Sequence, residues 1–425
     1  MTNMIKSIYH NVQSCVKMSS TMELSNFFDV TIGLKQGEPL SPLLFILFIN
    51  DITENLNFNS MTEKDFELLS MYLILFADDT VLFTTDPKSL QSQIDSLYQY
   101  SEKWVLKINV DKTKICVFEK RKQNRSEEFF INGEKIEIVD NFTYLGVKFM
   151  YTGNMSGAVK SLYDQALRAY NNLLSLFDKI KLDVKTKLLL FDTMVAPILL
   201  YGSEVWGIYN YKDVDKLHIR FCKYVLGVKQ QTPSCAIYGE LGRLPLSIIC
   251  KERSIKFWLK IMKNSDTPMY RMYQDLCNHV NTNCWASRIH SIIDHLGFTN
   301  VRLIYDRNVN YIHMFKRRLR DQYIQEWNHA ITTMPKLYYY CKFKKEFEFE
   351  EYLNTIVNDN LRKSYTCFRL SSHHLEIERG RFNGIDRENR LCKLCNQNVI
   401  ETECHFMLCC NRYEQLRKKY LGTIT

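Results

Sequence analysis

Two adjacent aspartates, Asp78 and Asp79, interrupt the apolar stretch LILFADDTVLFTT at residues 73–85. The flanking runs Tyr72–Phe76 and Val81–Phe83 have the length and composition of buried strands, and a tight hairpin between them places both acids at the bend. Adjacent strand residues face opposite sides, so one carboxylate points to one face while the other stays near the turn. Two like charges this close repel, and one is pushed toward protonation unless a cation intervenes. A divalent metal removes the repulsion, and magnesium prefers such hard oxygen ligands. A lone Asp pair also suits an ordinary turn, so the neighbouring sequence has to decide.

Upstream, GLKQGEPLSPLLFILFINDI (Gly33 to Ile52) reads as a loop that opens into an apolar helix. Ser41 is placed to cap that helix, Pro42 suits its first turn, and Leu43, Leu44, Leu47 and Phe48 form one stripe. Gln36 and Gly37 leave the loop without bulk, so backbone can approach a flat partner such as a base or a nucleotide sugar. Downstream comes an amphipathic helix carrying Leu90, Ile94, Leu97, Tyr98 and Trp104. The Asn109–Lys114 turn, a strand at Ile115–Phe118 and a second strand at Asn141–Phe149, broken by Gly146, follow it.

This ordered series resembles the palm of reverse transcriptases encoded by non-LTR (LINE-type) retrotransposons. The family's loop-and-helix motif is matched by GLKQGEPLSP (residues 33–42), and its metal-binding motif by Phe76-Ala77-Asp78-Asp79. The next motif is matched by Asn109 with Lys112-Thr113-Lys114, and the primer-gripping motif by Tyr144-Leu145-Gly146. The resemblance implies an RNA-directed DNA polymerase that extends a DNA primer on an RNA template from deoxynucleoside triphosphates. It further implies that Asp78 and Asp79 are catalytic and hold two Mg2+ ions, that Gln36 and Gly37 lie by the incoming nucleotide and template, that Lys112 sits near the leaving phosphates, and that Tyr144, Leu145 and Gly146 steady the primer end. Ions held roughly 4 Å apart stabilise both oxygens of an in-line phosphoryl transfer. Without the family context, Lys112 reads equally well as a solvated turn residue.

One element of the family pattern has no counterpart. A third metal-binding carboxylate stands on a palm strand before the Gln-Gly loop, yet only 35 residues precede Gln36, and Asp29 is too close to take that role. The sequence therefore reads as N-terminally truncated and inactive by itself, because each lost anionic ligand weakens ion binding. Loss of that strand also implies an exposed sheet edge and low solubility. The competing reading is a non-catalytic nucleic-acid-binding remnant of a retrotransposon.

The expected fold class is α+β: a partial palm with antiparallel sheet and helices at 1–150, a helical thumb-like region at 151–265, a helical linker region at 266–378, and a zinc knuckle at 379–425. In the second of these, Leu162, Ala166, Ala169, Tyr170 and Leu173 share a helix face. The aromatics of 188–207 and 238–246 alternate with aliphatics and read as core. The cluster Lys316-Arg317-Arg318 with Arg320 and the run KFKKEFEFEEY (342–352) read as solvated surface.

The C-terminal stretch RLCKLCNQNVIETECHFMLCCNRY carries Cys392-x-x-Cys395, a spacer of nine, His405 and Cys410. Three thiolates and an imidazole at this spacing can make a tetrahedral Zn2+ cage. Cys404 and Cys409 are rival ligands; Cys410 is preferred because Cys410-x-x-Tyr413 resembles the knuckle of the same retrotransposon family. Arg379, Arg381, Arg387 and Arg390 stand just upstream as a phosphate-binding surface, which by resemblance grips template RNA or target DNA. The remaining cysteines, such as Cys116, Cys222, Cys235 and Cys250, sit in apolar surroundings as buried thiols of a reducing compartment do.

Net charge is +9, from 56 Lys and Arg against 47 Asp and Glu, which leans toward an anionic partner. The longest fully apolar run near the loop, Leu43 to Ile49, is seven residues against the roughly 18 that cross a bilayer. With no secretory-type leader visible, the chain reads as intracellular, in nucleus or cytoplasm, with no membrane partner. Nothing in it fixes an oligomeric state.

Overall fold

The computed structural model describes residues 2–17, 23–31, 33–35, 37–55, 73–76, 78–122, 126–209, 212–278 and 284–422. They fall into two compact units, Met1–Ile115 with Gln123–Val139, and Cys116–Lys122 with Asp140–Thr425.

In the first unit, helix α1 (Thr2–Ile8) precedes a two-stranded antiparallel ribbon, β1 (Gln13–Ser14) and β2 (Phe28–Asp29). Helices α2 (Leu40–Phe48) and α3 (Ile52–Asn55) lead to the hairpin β3 (Leu73–Phe76) and β4 (Asp79–Leu82). Helix α4 (Pro87–Lys103) starts on Asp86, whose carboxylate accepts the Ser89 N–H, with Pro87 in the first turn where its missing N–H costs nothing. Its inner face carries Ile94 and Tyr100, and the Tyr100 hydroxyl donates to Asp51 at 2.6 Å. At its end Trp104 meets Phe48 edge-on at 5.3 Å. A three-stranded sheet of β5 (Lys114–Ile115), β6 (Phe129–Ile131) and β7 (Glu134–Ile138) has β7 in the middle, parallel to β5 and antiparallel to β6. Gln91 of α4 pairs with both backbone groups of Phe130, at 2.9 and 3.0 Å, and so completes the edge of β6.

Helix α2 departs from the sequence expectation. Its N-cap is Pro39, and Ser41 is instead buried, its hydroxyl donating to the Lys35 carbonyl at 2.7 Å. Ser41, Ile49 and Ile52, spaced eight and three residues apart, define the inward face. The leucine stripe therefore turns outward, with Leu43 54% and Leu47 63% exposed.

The second unit begins with the hairpin β8 (Asn141–Tyr144) and β9 (Val147–Met150). Helices α5 (Ser156–Lys179), α6 (Val184–Met194), α7 (Ala196–Leu199), α8 (Ser203–Trp206), α9 (Lys212–Leu226), α10 (Ser234–Glu240) and α11 (Leu246–Lys263) follow. The face of α5 expected from periodicity is buried through Leu162, Ala166, Tyr170 and Leu173, with Ala169 half-buried. It packs on Phe191 of α6 and Phe221 of α9, whose rings stack at 4.3 Å.

Helices α12 (Pro268–Asn278), α13 (Trp285–His295), α14 (Thr299–Leu303) and α15 (Ile312–Thr333) continue the unit. They are no linker. Phe315 and Leu319 of α15 close a second core with Trp258 of α11 and Ile289 of α13, while Trp327 and Ile331 of the same helix enter the first core. Beyond α16 (Tyr340–Phe343), the charged run expected to be solvated is exposed at most positions but anchored at two. Lys344 is 3% exposed and Phe347 4%, and Leu241 bridges Phe349. Gly242, at φ +58°, lies so close that an added Cβ would sit 2.4 Å from the Phe349 nitrogen. Helices α17 (Tyr352–Thr355), α18 (Asp359–Arg369), α19 (Glu376–Phe382) and α20 (Glu414–Leu421) complete the chain. Within the basic cluster of α15, Lys316 pairs with Glu252 at 2.6 Å and Arg317 with Asp321 at 3.8 Å. No helix among the described residues is long and apolar enough to cross a membrane.

Candidate functional site

Strands β3 and β4 pair in tight register, with Phe76 opposite Asp79, so a two-residue bend separates them. Asp78 occupies that bend, Asp79 opens β4, and both are exposed. Their carboxylates are thus held by a backbone ladder at the tip of the hairpin. Gln36 and Ala77 lie outside the described residues. Gly37 has φ +81° with no atom within 4 Å of where a Cβ would stand; only the backbone conformation calls for glycine there. Lys112 sits in a turn organised by Asn109, whose side-chain oxygen accepts the Lys112 N–H at 3.1 Å while its carbonyl accepts the Thr113 hydroxyl at 2.8 Å. Its own side chain is exposed.

Tyr144, Leu145 and Gly146 belong to the second unit, where Tyr144 faces Val147 across a two-residue turn. Leu145 and Gly146 both take positive φ, +48° and +78°, the geometry of a hairpin turn that matches strand twist. The strain on Leu145 is held by the Tyr201 hydroxyl, which donates to its carbonyl at 2.7 Å.

The four C-terminal ligands converge. One donor atom each from Cys392, Cys395, His405 and Cys410 lies within 4.8 Å of the others, and all four residues are buried. The Cys392–Ile400 loop closes through a bridge between Leu391 and Ile400 and a bond from Cys392 N–H to the Val399 carbonyl at 2.8 Å. His405 starts a single π-turn, His405–Cys409, whose wide pitch brings the Cys410 N–H to the His405 carbonyl at 2.8 Å. This turns Cys410 inward and leaves Cys404 and Cys409 exposed. The Cys395 sulfur is 3.3 Å from His405 Nε2. Burial pushes the Cys392 thiol up from its ordinary value, and the neighbouring Cys395 and Glu401 add to the crowding of negative charge. A metal ion reverses that cost, because it binds the thiolate forms together.

Several residues that the sequence reading passed over support this cage. The Thr402 hydroxyl accepts the His405 N–H at 3.1 Å. Glu401 is buried beside Cys392, and its carboxylate accepts the first N–H of α19, from Glu376, at 2.6 Å. Glu403 accepts from Ser371 and lies 2.9 Å from His373. Burial works to raise its carboxyl, yet these bonds hold it below the ordinary value. The signal was the acid-rich Glu401-Thr402-Glu403 directly before His405.

The four arginines expected to form one phosphate-binding surface take different partners. Arg390 is a brace, with Nε donating to the Ile385 carbonyl at 2.8 Å and Nη1 to Ile377 at 3.2 Å, its stem filling the space beside Gly380. Arg379 pairs with Glu376 and Arg381 with Glu378. Arg387 is exposed on a 3₁₀ turn.

Residues 2–149 match the family model described as reverse transcriptase (RNA-dependent DNA polymerase). Among curated relatives, the RNA-directed DNA polymerase from mobile element jockey of Drosophila melanogaster is 25% identical over 46% of this chain and 21% of its own length. A transposon-derived protein of Caenorhabditis elegans is 32% identical over 31% of this chain and 47% of its own. The Pol polyprotein from type-1 retrotransposable element R2 of Popillia japonica is 24% identical over 49% of this chain and 35% of its own. The chain thus spans between about a fifth and a half of the length of these relatives. These likenesses identify residues 2–149 as a reverse transcriptase domain of the non-LTR retrotransposon kind.

Proposed function

We propose that this chain serves RNA-directed DNA synthesis, with RNA template, DNA primer or target and deoxynucleoside triphosphates as partners, inside the cell in nucleus or cytoplasm. The observation that carries the reading is the family match over residues 2–149 combined with a hairpin that presents two adjacent carboxylates at its tip. Asp78 and Asp79 offer hard oxygen donors that fit magnesium. When bound, the metal supplies charge neutralisation at the attacking and leaving oxygens of phosphoryl transfer. The chain's own residues do the positioning: Gln36 and Gly37 line the template and nucleotide, Lys112 attracts the phosphates, and Tyr144 to Gly146 hold the primer end on a turn stiffened by Tyr201.

Cys392, Cys395, His405 and Cys410 hold Zn2+ in this proposal. Three soft sulfurs and one imidazole suit zinc, and their donor atoms already lie within 4.8 Å of one another. The cage would fix the C-terminal knuckle and the helix that precedes it.

A second reading, nucleic-acid binding without catalysis, is supported by the basic balance of the chain, 56 Lys and Arg against 47 Asp and Glu. Primer extension separates the two. A labelled DNA primer annealed to RNA is expected to grow with the chain, nucleotides and magnesium, and to stop growing with Asp78→Asn. Extension that survives Asp78→Asn refutes the metal assignment, and no extension by the unsubstituted chain supports the second reading.

A further inference from the structure

Four cations of the second unit cluster where α19 meets the helical core, and two of them, Lys336 and Arg381, share the carboxylate of Glu378. Lys336, on the 3₁₀ turn Pro335–Leu337, has a side chain only 7% exposed, and its Nζ lies 3.4 Å from Glu378. Arg381 pairs with the same Glu378 oxygen at 2.5 Å. Lys223 of α9 is 8% exposed and donates to the Gln230 carbonyl at 2.5 Å. Lys229 donates to the His373 carbonyl at 2.9 Å. Burial, and then the charges of Arg381 and Lys229 acting against that of Glu378, lower the Lys336 ammonium from its ordinary value; burial and Lys336 do the same to Lys223.

Lys336 and Arg381 share Glu378 while Lys223 and Lys229 are held by neutral backbone carbonyls, so these groups carry more positive than negative charge. Folding tolerates such a cluster poorly unless an anion completes it. Two of the four, Lys229 and Lys336, reach it from a loop and a turn, and the other two from separate helices, which is unlike a solvated basic stripe. The chain also sets an exposed aromatic beside two of these cations. Tyr338, 50% exposed, follows Lys336 by two residues, and Phe382, 80% exposed, follows Arg381 directly. Cations that take phosphates and rings that take bases are the combination single-stranded nucleic acid requires.

We propose that Lys223, Lys229, Lys336 and Arg381 form a seat for a backbone phosphate of single-stranded nucleic acid, with Glu378 as the internal anion that the phosphate displaces. This rests on the reading of the chain as a nucleic-acid-handling protein, and it adds a contact far in sequence from the polymerase motifs.

The test is fluorescence anisotropy of the full chain with labelled 20-nucleotide single-stranded RNA and DNA of mixed sequence over a salt series. Each lost phosphate contact on a single strand lowers the slope of log affinity against log salt by about 0.7. Lys336→Gln with Arg381→Gln removes that one phosphate contact and is therefore expected to reduce the slope by roughly 0.7 and weaken binding about fivefold near 0.1 M salt. Glu378→Gln removes the competing carboxylate at nearly constant shape and is expected to tighten binding severalfold, an effect that misfolding does not produce. Weakening on RNA alone or on both polymers supports the seat and names its strand. Wild-type affinity and slope in the double variant, no tightening in Glu378→Gln, or no binding by the unsubstituted chain each overturn it. Primer extension with Asp78→Asn reads the polymerase proposal separately, so failure of one leaves the other standing.

Discussion

Arg369 offers a sharp test of how the C-terminal half is held together. Its Nε donates to Glu240 at 2.6 Å, its Nη2 reaches Glu350 at 2.8 Å, and Glu350 in turn holds Lys344 at 2.5 Å. The Glu240 side chain has no solvent exposure, and Arg369 lies over the Phe343 ring at 4.4 Å and the Tyr352 ring at 5.1 Å. Arg369→Met keeps most of the stem over those rings but strands Glu240 in the core. Removing one partner of a buried ion pair costs about 3–5 kcal/mol, whereas an exposed pair is worth about 1 kcal/mol or less. The single variant is expected near the first figure in urea unfolding followed by tryptophan fluorescence. Arg369→Met with Glu240→Gln, which removes the stranded charge, is expected to recover at least ~2 kcal/mol of that loss. A cost under about 1 kcal/mol for the single variant, or a double variant no more stable than it, would show that burial of Glu240 is not what makes the pair matter.

Other expectations concern the metal centre and pH. Metal analysis of the purified chain should find about one zinc, retained in Cys409→Ser and lost in Cys410→Ser, because only the latter sulfur faces the other three ligands. Chelation is expected to raise amide exchange between Cys392 and Cys410 while the helical core stays protected, since metal binding is local folding energy. His218 is fully buried, and burial together with the Arg243 guanidinium holds its pKa well below the ordinary value. The unfolded chain takes up a proton there below about pH 6.5 and the folded chain does not. Stability from this group is therefore complete above that pH and falls on acidification by up to about 1.4 kcal/mol per pH unit. His218→Gln should shrink the difference in urea stability between pH 5.5 and pH 7.5, and an unchanged difference would exonerate His218.

How much of this could be read from the chain depended on whether a feature was local. The Asp78-Asp79 bend is set by a two-residue turn between apolar runs, and α5 by its own periodicity; both are visible in a short window. The convergence of Cys392, Cys395, His405 and Cys410 was legible through spacing, and the inward turn of Cys410 follows from a π-turn that spacing alone does not reveal. Long-range packing was hidden. KFKKEFEFEEY is solvated at most positions, but Lys344 and Phe347 are drawn in where Glu240 and Gly242, some hundred residues earlier, supply a carbonyl for the Glu350 N–H at 3.1 Å and a cleft without a side chain. In the same way, Arg390 looks like a phosphate ligand until Gly380 makes room for its stem and the Ile377 and Ile385 carbonyls take its donors. Charge pattern predicts exposure only when no distant element provides a counter-charge.

The contacts around α19 show why the knuckle is more than an appendage to the helical core. Glu401, next to Cys392, caps the first turn of α19 through the Glu376 N–H, and its own N–H donates to the Arg390 carbonyl at 3.0 Å. Arg390 then reaches back to Ile377 inside α19. Phe406, in the π-turn, packs against Phe368 of α18 at 5.8 Å and Tyr413 at 4.9 Å. Whatever orders Cys392, Cys395, His405 and Cys410 therefore also fixes the axis and rotation of α19, the helix that carries Glu378 and Arg381. A helix of seven residues has little stability of its own; its geometry is borrowed from the Cys/His cluster on one side and from Lys336 on the other.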